Sequence, residues 1–109
     1  MHELGITQEV VEIVAARAGE ARVRRVTLEI GRLTAVLPDA VRFCFDVCRE
    51  GTVLDEAELE IVETAGRGRC RACGTELELN QPFGRCGCGG TDLEWLSGEE
   101  LRIVEFELI

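Results

Sequence analysis

Six cysteines in a chain of 109 residues are the feature that most constrains the fold. Four of them form two close pairs, Cys70 with Cys73 and Cys86 with Cys88, which residues 74–85 separate. Two such pairs joined by a short loop are typical of a zinc ribbon, in which each pair occupies a tight turn and four thiolates surround one ion. Four thiolates leave zinc no open position, so the pattern predicts a structural zinc site without catalysis.

The second cysteine pair has the spacing C-x-C, whereas C-x-x-C is commoner in such ribbons. This spacing requires a tighter turn, which we expect Gly87 to ease. Gly74, Gly89 and Gly90 are expected to adopt positive φ around the sulfur atoms. Three apolar residues between the pairs are expected to form the apolar face of a connecting hairpin: Leu77, Leu79 and Phe83.

Two other interpretations of the cysteine segment remain open. A rubredoxin-like iron site for electron transfer would use the same four ligands, and a regulatory disulfide would use two of them. A zinc ribbon can also bind nucleic acid or protein, and this segment carries four arginines: Arg67, Arg69, Arg71 and Arg85. A net charge of −9, one tryptophan and no tyrosine argue against nucleic acid.

The start of the chain predicts a cytoplasmic protein. The first residues carry acids and no basic stretch before an apolar run, so they do not resemble a signal peptide. No apolar run approaches the length of a membrane span. Cysteines in the cytoplasm favour metal binding over a disulfide framework.

Hydropathy periodicity predicts an α+β fold in which two helices pack on one face of a three-stranded sheet, with the zinc ribbon inserted. The order is helix, strand, helix, strand, cysteine insert, strand. The predicted elements are a helix over 4–17, strands over 23–30 and 59–62, a helix opening at Pro38, and a strand over 104–108. Glycines 19 and 51 are expected to end the helices.

The buried faces of the two helices can also be assigned from spacing. In the first helix the apolar positions are Leu4, Val10, Val11, Ile13 and Val14. Its start is expected either near His2 or at Thr7 as a cap. In the second helix the face is Val41, Cys44, Phe45 and Cys48. We interpret its two cysteines as core residues, because buried cysteine behaves as a small hydrophobe.

His2 is the only histidine, and it stands beside the α-amino group of Met1 and the amide nitrogens of His2 and Glu3. An amine, an imidazole and amides can form the planar, nitrogen-rich set that Ni(II) or Cu(II) prefers. On the residues alone, an ordinary exposed histidine is the favoured interpretation. No Ser-His-Asp or Cys-His constellation is evident, so an enzyme is not expected.

Several segments along the chain together resemble one family. They are Met1-His2-Glu3-Leu4, Gln8-Glu9-Val10-Val11-Glu12-Ile13-Val14, Leu28-Glu29-Ile30-Gly31-Arg32-Leu33, Arg42-Phe43-Cys44-Phe45, Glu50-Gly51-Thr52, the cysteine insert, and Ser97-Gly98-Glu99-Glu100-Leu101. In this order they are similar to the HypA family of hydrogenase nickel-incorporation proteins, over essentially the whole chain. The family usually has C-x-x-C at the second cysteine pair.

The resemblance implies a nickel metallochaperone for [NiFe]-hydrogenase maturation. It implies a nickel-binding domain over 1–65 and 98–109 with a zinc domain inserted over 66–97. Its implied nickel ligand is His2, assisted by Glu3 and the amine of Met1, and its zinc ligands are the four cysteines of the insert. Implied partners are a HypB-type GTPase and the hydrogenase large-subunit precursor, with urease maturation proteins as further recipients. The chain is expected to be a monomer or a weak homodimer.

Overall fold

The computed structural model describes residues 2–109 and contains two helices and six strands. The helices are α1 (His2–Ala18) and α2 (Pro38–Cys48). The strands are β1 (Val23–Gly31), β2 (Glu58–Thr64), β3 (Gly66–Cys70), β4 (Glu76–Leu79), β5 (Leu93–Ser97) and β6 (Leu101–Leu108), and a short 3₁₀ helix covers Arg32–Thr34. They form two three-stranded sheets, in the orders β2-β1-β6 and β4-β3-β5. The predicted α+β class, with two helices, a three-stranded sheet and a ribbon-like insert, is confirmed.

The chain divides into two compact units. Unit 1 contains Met1–Leu28, Val36–Val62 and Arg102–Ile109, and unit 2 contains Glu29–Ala35 and Glu63–Leu101. This division follows packing contacts, and it assigns the segment Glu29–Ala35 to the unit that carries the four cysteines. The functional domain boundaries given above stay a prediction.

In unit 1, α2 forms as its sequence predicts. Pro38 occupies the first turn, where its missing N–H costs no hydrogen bond, and Val41, Cys44 and Phe45 are buried on one face. The helix ends just before Gly51, whose φ of 75° turns the chain away. Its apolar face packs on α1. The largest fully buried side chains of unit 1 lie on the two helices, on β1 and in the loop before β2.

The buried stripe of α1 differs from the predicted face. Val10, Val11 and Val14 are buried, but Leu4 and Ile13 are 38 % and 42 % exposed. Glu3 and Thr7 take the remaining buried positions, four residues apart. The helix begins at His2, so Thr7 is not a cap; its hydroxyl donates instead to the carbonyl of Glu3 at 2.7 Å within the helix.

The middle strand β1 carries the core of the first sheet. Val26 and Leu28 are fully buried on one side, and Arg25 and Thr27 belong to the opposite side. There the guanidinium of Arg25 lies 2.8 Å from Glu107 on β6 and 3.4 Å from Glu60 on β2. Arg25, Glu60 and Glu107 therefore lie on the same polar face of the sheet.

In unit 2, β3 pairs antiparallel with both β4 and β5. Gly66 and Gly68 are buried in β3 because leucine side chains occupy the space above them. A Cβ on Gly66 would lie 2.7 Å from the Cγ of Leu33, and one on Gly68 would lie 2.8 Å from a methyl of Leu79. Leu33 therefore joins the small core of this unit, which explains the assignment of its segment.

Candidate metal sites

The four cysteines of the insert meet in one cluster, as their spacing predicts. Their sulfur atoms all lie within 4.8 Å of one another, and every one of these cysteines is free. Across the cluster, the Sγ atoms of Cys70 and Cys88 are 3.7 Å apart, and those of Cys73 and Cys86 are 3.6 Å apart. Four sulfurs at about 2.3 Å from a tetrahedral zinc are separated by about 3.8 Å. The donor set and its spacing therefore fit zinc.

The first cysteine pair spans the last residue of β3 and the turn that follows it. The N–H of Gly74 donates to the carbonyl of Cys70, and the N–H of Cys70 donates to the carbonyl of Thr75, both at 2.8 Å. Gly74 has a φ of 80°, as expected for this position. The turn places the hydroxyl of Thr75 3.2 Å from the sulfur of Cys73.

The second cysteine pair lies in a turn of the same kind despite its C-x-C spacing. The N–H of Cys86 donates to the carbonyl of Gly90 at 2.8 Å, and the N–H of Gly89 donates to the carbonyl of Cys86 at 2.9 Å. Gly89 has the expected positive φ, 93°. Both sulfurs of this pair reach the cluster, so the shorter spacing removes no ligand.

Three details predicted for the insert are wrong. Gly90 does not adopt a positive φ; it is needed because a Cβ there would lie 3.0 Å from the sulfur of Cys70. Gly87 has open space around its Cα, so the tight turn does not depend on it. Phe83 is 73 % exposed, and the apolar face of the hairpin is provided by Leu79, which is 4 % exposed.

The thiols of the cluster differ in pKa. Hydrogen bonds from the side chain and then the backbone of Thr75 lower the pKa of Cys73 to about 6. For Cys88, the N–H of Gly90 acts to lower the pKa, but the three neighbouring cysteines and burial outweigh it and raise the pKa to about 11. Binding of a cation would displace the remaining protons, since thiolates are the ligands.

Most arginines of the insert already have acidic partners. Arg69 lies 3.6 Å from Glu76 and 3.4 Å from Glu94, Arg67 lies 3.8 Å from Glu76, and Arg71 lies 3.2 Å from Asp92. Arginines paired in this way contribute little net positive charge to a surface. This pairing removes the basic footprint that a nucleic-acid-binding ribbon requires.

At the start of α1, the structure brings His2 and Glu3 together. The His2 side chain is 61 % exposed, and its Nε2 lies 3.2 Å from Oε2 of Glu3, whose side chain is 10 % exposed. The same oxygen accepts the N–H of Leu37 at 3.3 Å. The third predicted ligand residue, Met1, lies outside the described residues.

The environment of Glu3 keeps it ionised. Its own backbone N–H holds the pKa of Glu3 below its usual range, against the opposing effect of burial, and the N–H of Leu37 and the neighbouring His2 act in the same direction. A carboxylate at this distance can orient the imidazole, as protein carboxylates do for histidine ligands of metals.

The remaining two cysteines lie on α2, and neither belongs to a cluster of three or more metal-ligating side chains among the described residues. Cys44 is buried, and Cys48 is partly buried. Burial and the nearby Cys44 raise the pKa of Cys48, so its thiol stays protonated and unreactive near neutral pH. Among residues 2–109, the only cluster of three or more metal-ligating side chains is the four-cysteine group. These observations agree with the predicted packing role.

Comparison with known proteins identifies the family. The family described as hydrogenase/urease nickel incorporation, metallochaperone, HypA matches residues 1–108. The hydrogenase maturation factor HypA of Nostoc punctiforme is 57 % identical over 108 residues, covering 99 % of this chain and 96 % of that protein. The corresponding factor of Geobacter metallireducens is 49 % identical, covering 99 % of both.

A solved structure has the same fold. The solution structure of the Ni metallochaperone HypA from Helicobacter pylori superposes with a TM-score of 0.66 at 23 % identity, covering 98 % of this chain and 97 % of that one. None of the helices formed by residues 2–109 combines the length and apolar character needed to cross a membrane. The chain belongs to the HypA family of nickel metallochaperones, and its four-cysteine cluster is suited to a structural zinc ion.

Proposed function

We propose that this nickel metallochaperone of [NiFe]-hydrogenase maturation holds Ni(II) at His2, assisted by Glu3 and by the α-amino group of Met1. The observation that carries the proposal is the pairing of an exposed imidazole with a buried, ionised carboxylate at the start of α1. His2 is the only histidine of the chain, and imidazole and amine nitrogens suit Ni(II).

The exposure of His2 suits delivery as well as binding. A chaperone must release its cargo, and a recipient can compete for the metal only where it can reach the ligands. Glu3 acts here as a positioning group, because its Oε2 is already engaged by Leu37 and by the imidazole. The protein is a maturation factor and not an enzyme, so its chemistry is the exchange of ligands.

The four-cysteine cluster supplies stability and no transfer step. When zinc is bound, four thiolates saturate it and hold two turns of unit 2 together. Cys70, Cys73, Cys86 and Cys88 would be its ligands. We infer that nickel and zinc occupy separate sites, because the four cysteines by themselves complete a tetrahedral zinc site and His2 is not among them.

The partners follow from the same proposal. They are a HypB-type GTPase and the [NiFe]-hydrogenase large-subunit precursor, with urease maturation proteins as further recipients, and the site of action is the cytoplasm. The proposed functional boundaries remain 1–65 with 98–109 for the nickel-binding domain and 66–97 for the zinc domain.

The test is a calorimetric titration of untagged, zinc-loaded protein with Ni(II), beside His2→Ala and Glu3→Gln. We expect His2→Ala to abolish nickel binding while elemental analysis still finds one zinc per chain. Glu3→Gln keeps the shape of the side chain and should weaken binding less. A variant extended by two residues before Met1 tests the amine. Nickel binding by His2→Ala equal to wild type would refute the site.

A further inference from the structure

The two turns of the four-cysteine cluster follow the same backbone plan. In the first turn the N–H of Cys70 donates to the carbonyl of Thr75, and in the second the N–H of Cys86 donates to the carbonyl of Gly90, both at 2.8 Å. In each turn a glycine with positive φ stands directly before the accepting residue. The two turns can therefore be compared position by position.

In this comparison Cys73 of the first turn corresponds to Cys88 of the second. Each of the two sulfurs receives one backbone hydrogen bond, from the N–H of Thr75 to Cys73 and from the N–H of Gly90 to Cys88. Both cysteines are exposed. Neither access nor the backbone hydrogen bond therefore distinguishes the two sulfurs.

The side chain two residues after each of these cysteines does distinguish them. The hydroxyl of Thr75 lies 3.2 Å from the Sγ of Cys73. A thiolate can only accept a hydrogen bond, so this hydroxyl donates to the sulfur once the thiol has lost its proton. Gly90 has no side chain, and a Cβ there would lie 3.0 Å from the sulfur of Cys70. The second turn therefore lacks the extra hydrogen bond and has little room for one.

Hydrogen bonds to a thiolate lower its reactivity. They are stronger than ordinary hydrogen bonds because the acceptor is charged, and the sulfur gives up part of this stabilisation when its electron pair enters a new bond. Hydrogen bonds to sulfur tune the chemistry of metal–thiolate sites in the same way. Of two equivalent metal-bound thiolates, the one with fewer hydrogen bonds is therefore the stronger nucleophile.

The other cysteines compete poorly for an external reagent. Cys70 and Cys86 of the cluster and Cys44 of α2 are buried. Cys48 is partly buried, and its thiol stays protonated near neutral pH because burial and the nearby Cys44 raise its pKa. The first reaction with a reagent in solution is therefore decided between the two exposed thiolates of the cluster.

We propose that Cys88 is the reactive thiolate of the zinc-loaded protein, the position at which soft electrophiles modify the chain, and that the hydroxyl of Thr75 protects Cys73. With a maleimide, a bond forms between the Sγ of Cys88 and one alkene carbon, and the other alkene carbon takes a proton from water and leaves hydroxide. The sulfur is then a thioether and no longer a thiolate ligand. This reactive position does not depend on the nickel site proposed above.

The test is alkylation of zinc-loaded, full-length protein with a substoichiometric amount of N-ethylmaleimide, followed by tryptic peptide mapping. Trypsin places Cys73 and Cys88 on different peptides because Arg85 lies between them, and fragmentation distinguishes Cys88 from Cys86. We expect Cys88 to react about tenfold faster than Cys73. Tenfold corresponds to about 1.4 kcal/mol, close to the lower end of the range for a hydrogen bond to a charged group. Zinc release, measured with a chromophoric chelator, should follow the alkylation of Cys88.

Variants at Thr75 test the cause of this order. Thr75→Val removes the hydroxyl, keeps the shape of the side chain, and should raise the rate at Cys73 about tenfold, to the rate at Cys88. Thr75→Ser keeps a hydroxyl and should retain the wild-type order. Thr91→Val is the matched control, because it removes an exposed threonine hydroxyl from the same unit, and both rates should stay within about twofold of wild type.

Several outcomes would overturn the proposal. They are equal rates at Cys73 and Cys88 in wild type, a first reaction at Cys73, and a first reaction at the buried Cys70 or Cys86. A zinc-loaded Thr75→Val that leaves the rate at Cys73 unchanged would also overturn it. The order in wild-type protein is measured without any substitution, so it decides the proposal even if a variant fails to hold zinc.

Discussion

Replacement of Gly90 by alanine tests the geometry of the four-cysteine cluster most directly. A Cβ at this position would lie 3.0 Å from the sulfur of Cys70 and 3.4 Å from the sulfur of Cys88. Cys70 is 1 % exposed and is itself paired with Leu93 at the end of β3, so its sulfur has little room to retreat. The added methyl therefore presses on two of the four ligands at once.

The size of the effect follows from these distances. Atoms in ordinary contact lie about 3.5–4.0 Å apart, so the sulfur of Cys70 would have to move by a few tenths of an ångström. Ligand distances in metal sites are held within about 0.2 Å of their ideal values. We expect the zinc affinity of Gly90→Ala to fall about 10–100-fold, as when groups supporting metal ligands are removed, which corresponds to about 1.4–2.7 kcal/mol.

The assay is competition for zinc between the protein and a chromophoric chelator of known affinity. Gly87→Ala is the matched control, because a Cβ there meets nothing within 4 Å although the residue lies in the same turn. Its affinity should stay within about twofold of wild type, as for surface substitutions generally. Equal zinc affinities for Gly90→Ala and wild type would refute the reasoning, and so would a lowered zinc affinity of Gly87→Ala.

Three further outcomes are expected. Phe45 is 2 % exposed, so Phe45→Ala should lower the free energy of unfolding by about 3–5 kcal/mol in urea denaturation, and a loss under about 1 kcal/mol would contradict its core position. Gly98 has a φ of 108° and its Cβ would lie 2.6 Å from the Cα of Gly66, so Gly98→Ala should lower the melting temperature of zinc-loaded protein; an unchanged value would argue against this contact. Zinc affinity should rise from about pH 7 to about pH 9, because Cys88, with a pKa of about 11, must lose its proton on binding, whereas a flat profile would contradict that pKa.

Local chemistry made α2 predictable from the sequence. Pro38 has a fixed φ that suits a helix start, and the 3.6-residue period of Val41, Cys44 and Phe45 leaves only one face for the core. The face of α1 was predicted less well because two polar residues are buried there. Glu3 is accommodated by the N–H of Leu37, thirty-four residues further along the chain, and no local pattern reveals such a partner.

The four-cysteine cluster was predictable because two close cysteine pairs joined by a short loop are a spacing typical of zinc sites. The roles of the surrounding glycines could not be predicted, because they depend on side-chain atoms from other segments that folding brings close. Gly90 is required by a sulfur from the other turn, and Gly66 by Leu33, a residue of a distant segment. Steric demands of this kind become visible only when the packed neighbours are known.

Each turn of the cluster contributes one buried and one exposed cysteine: Cys70 and Cys86 are buried, and Cys73 and Cys88 are exposed. Equilibrium affinity depends on all four ligands, but the rate of metal exchange depends on which of them an incoming molecule can reach. A competing chelator or an oxidant would first reach the two exposed cysteines, one in each turn. We therefore expect the lifetime of a bound ion to depend on how fast Cys73 and Cys88 are displaced. Cys70 and Cys86 would still hold the ion after that first step, so the displaced ligands could bind again.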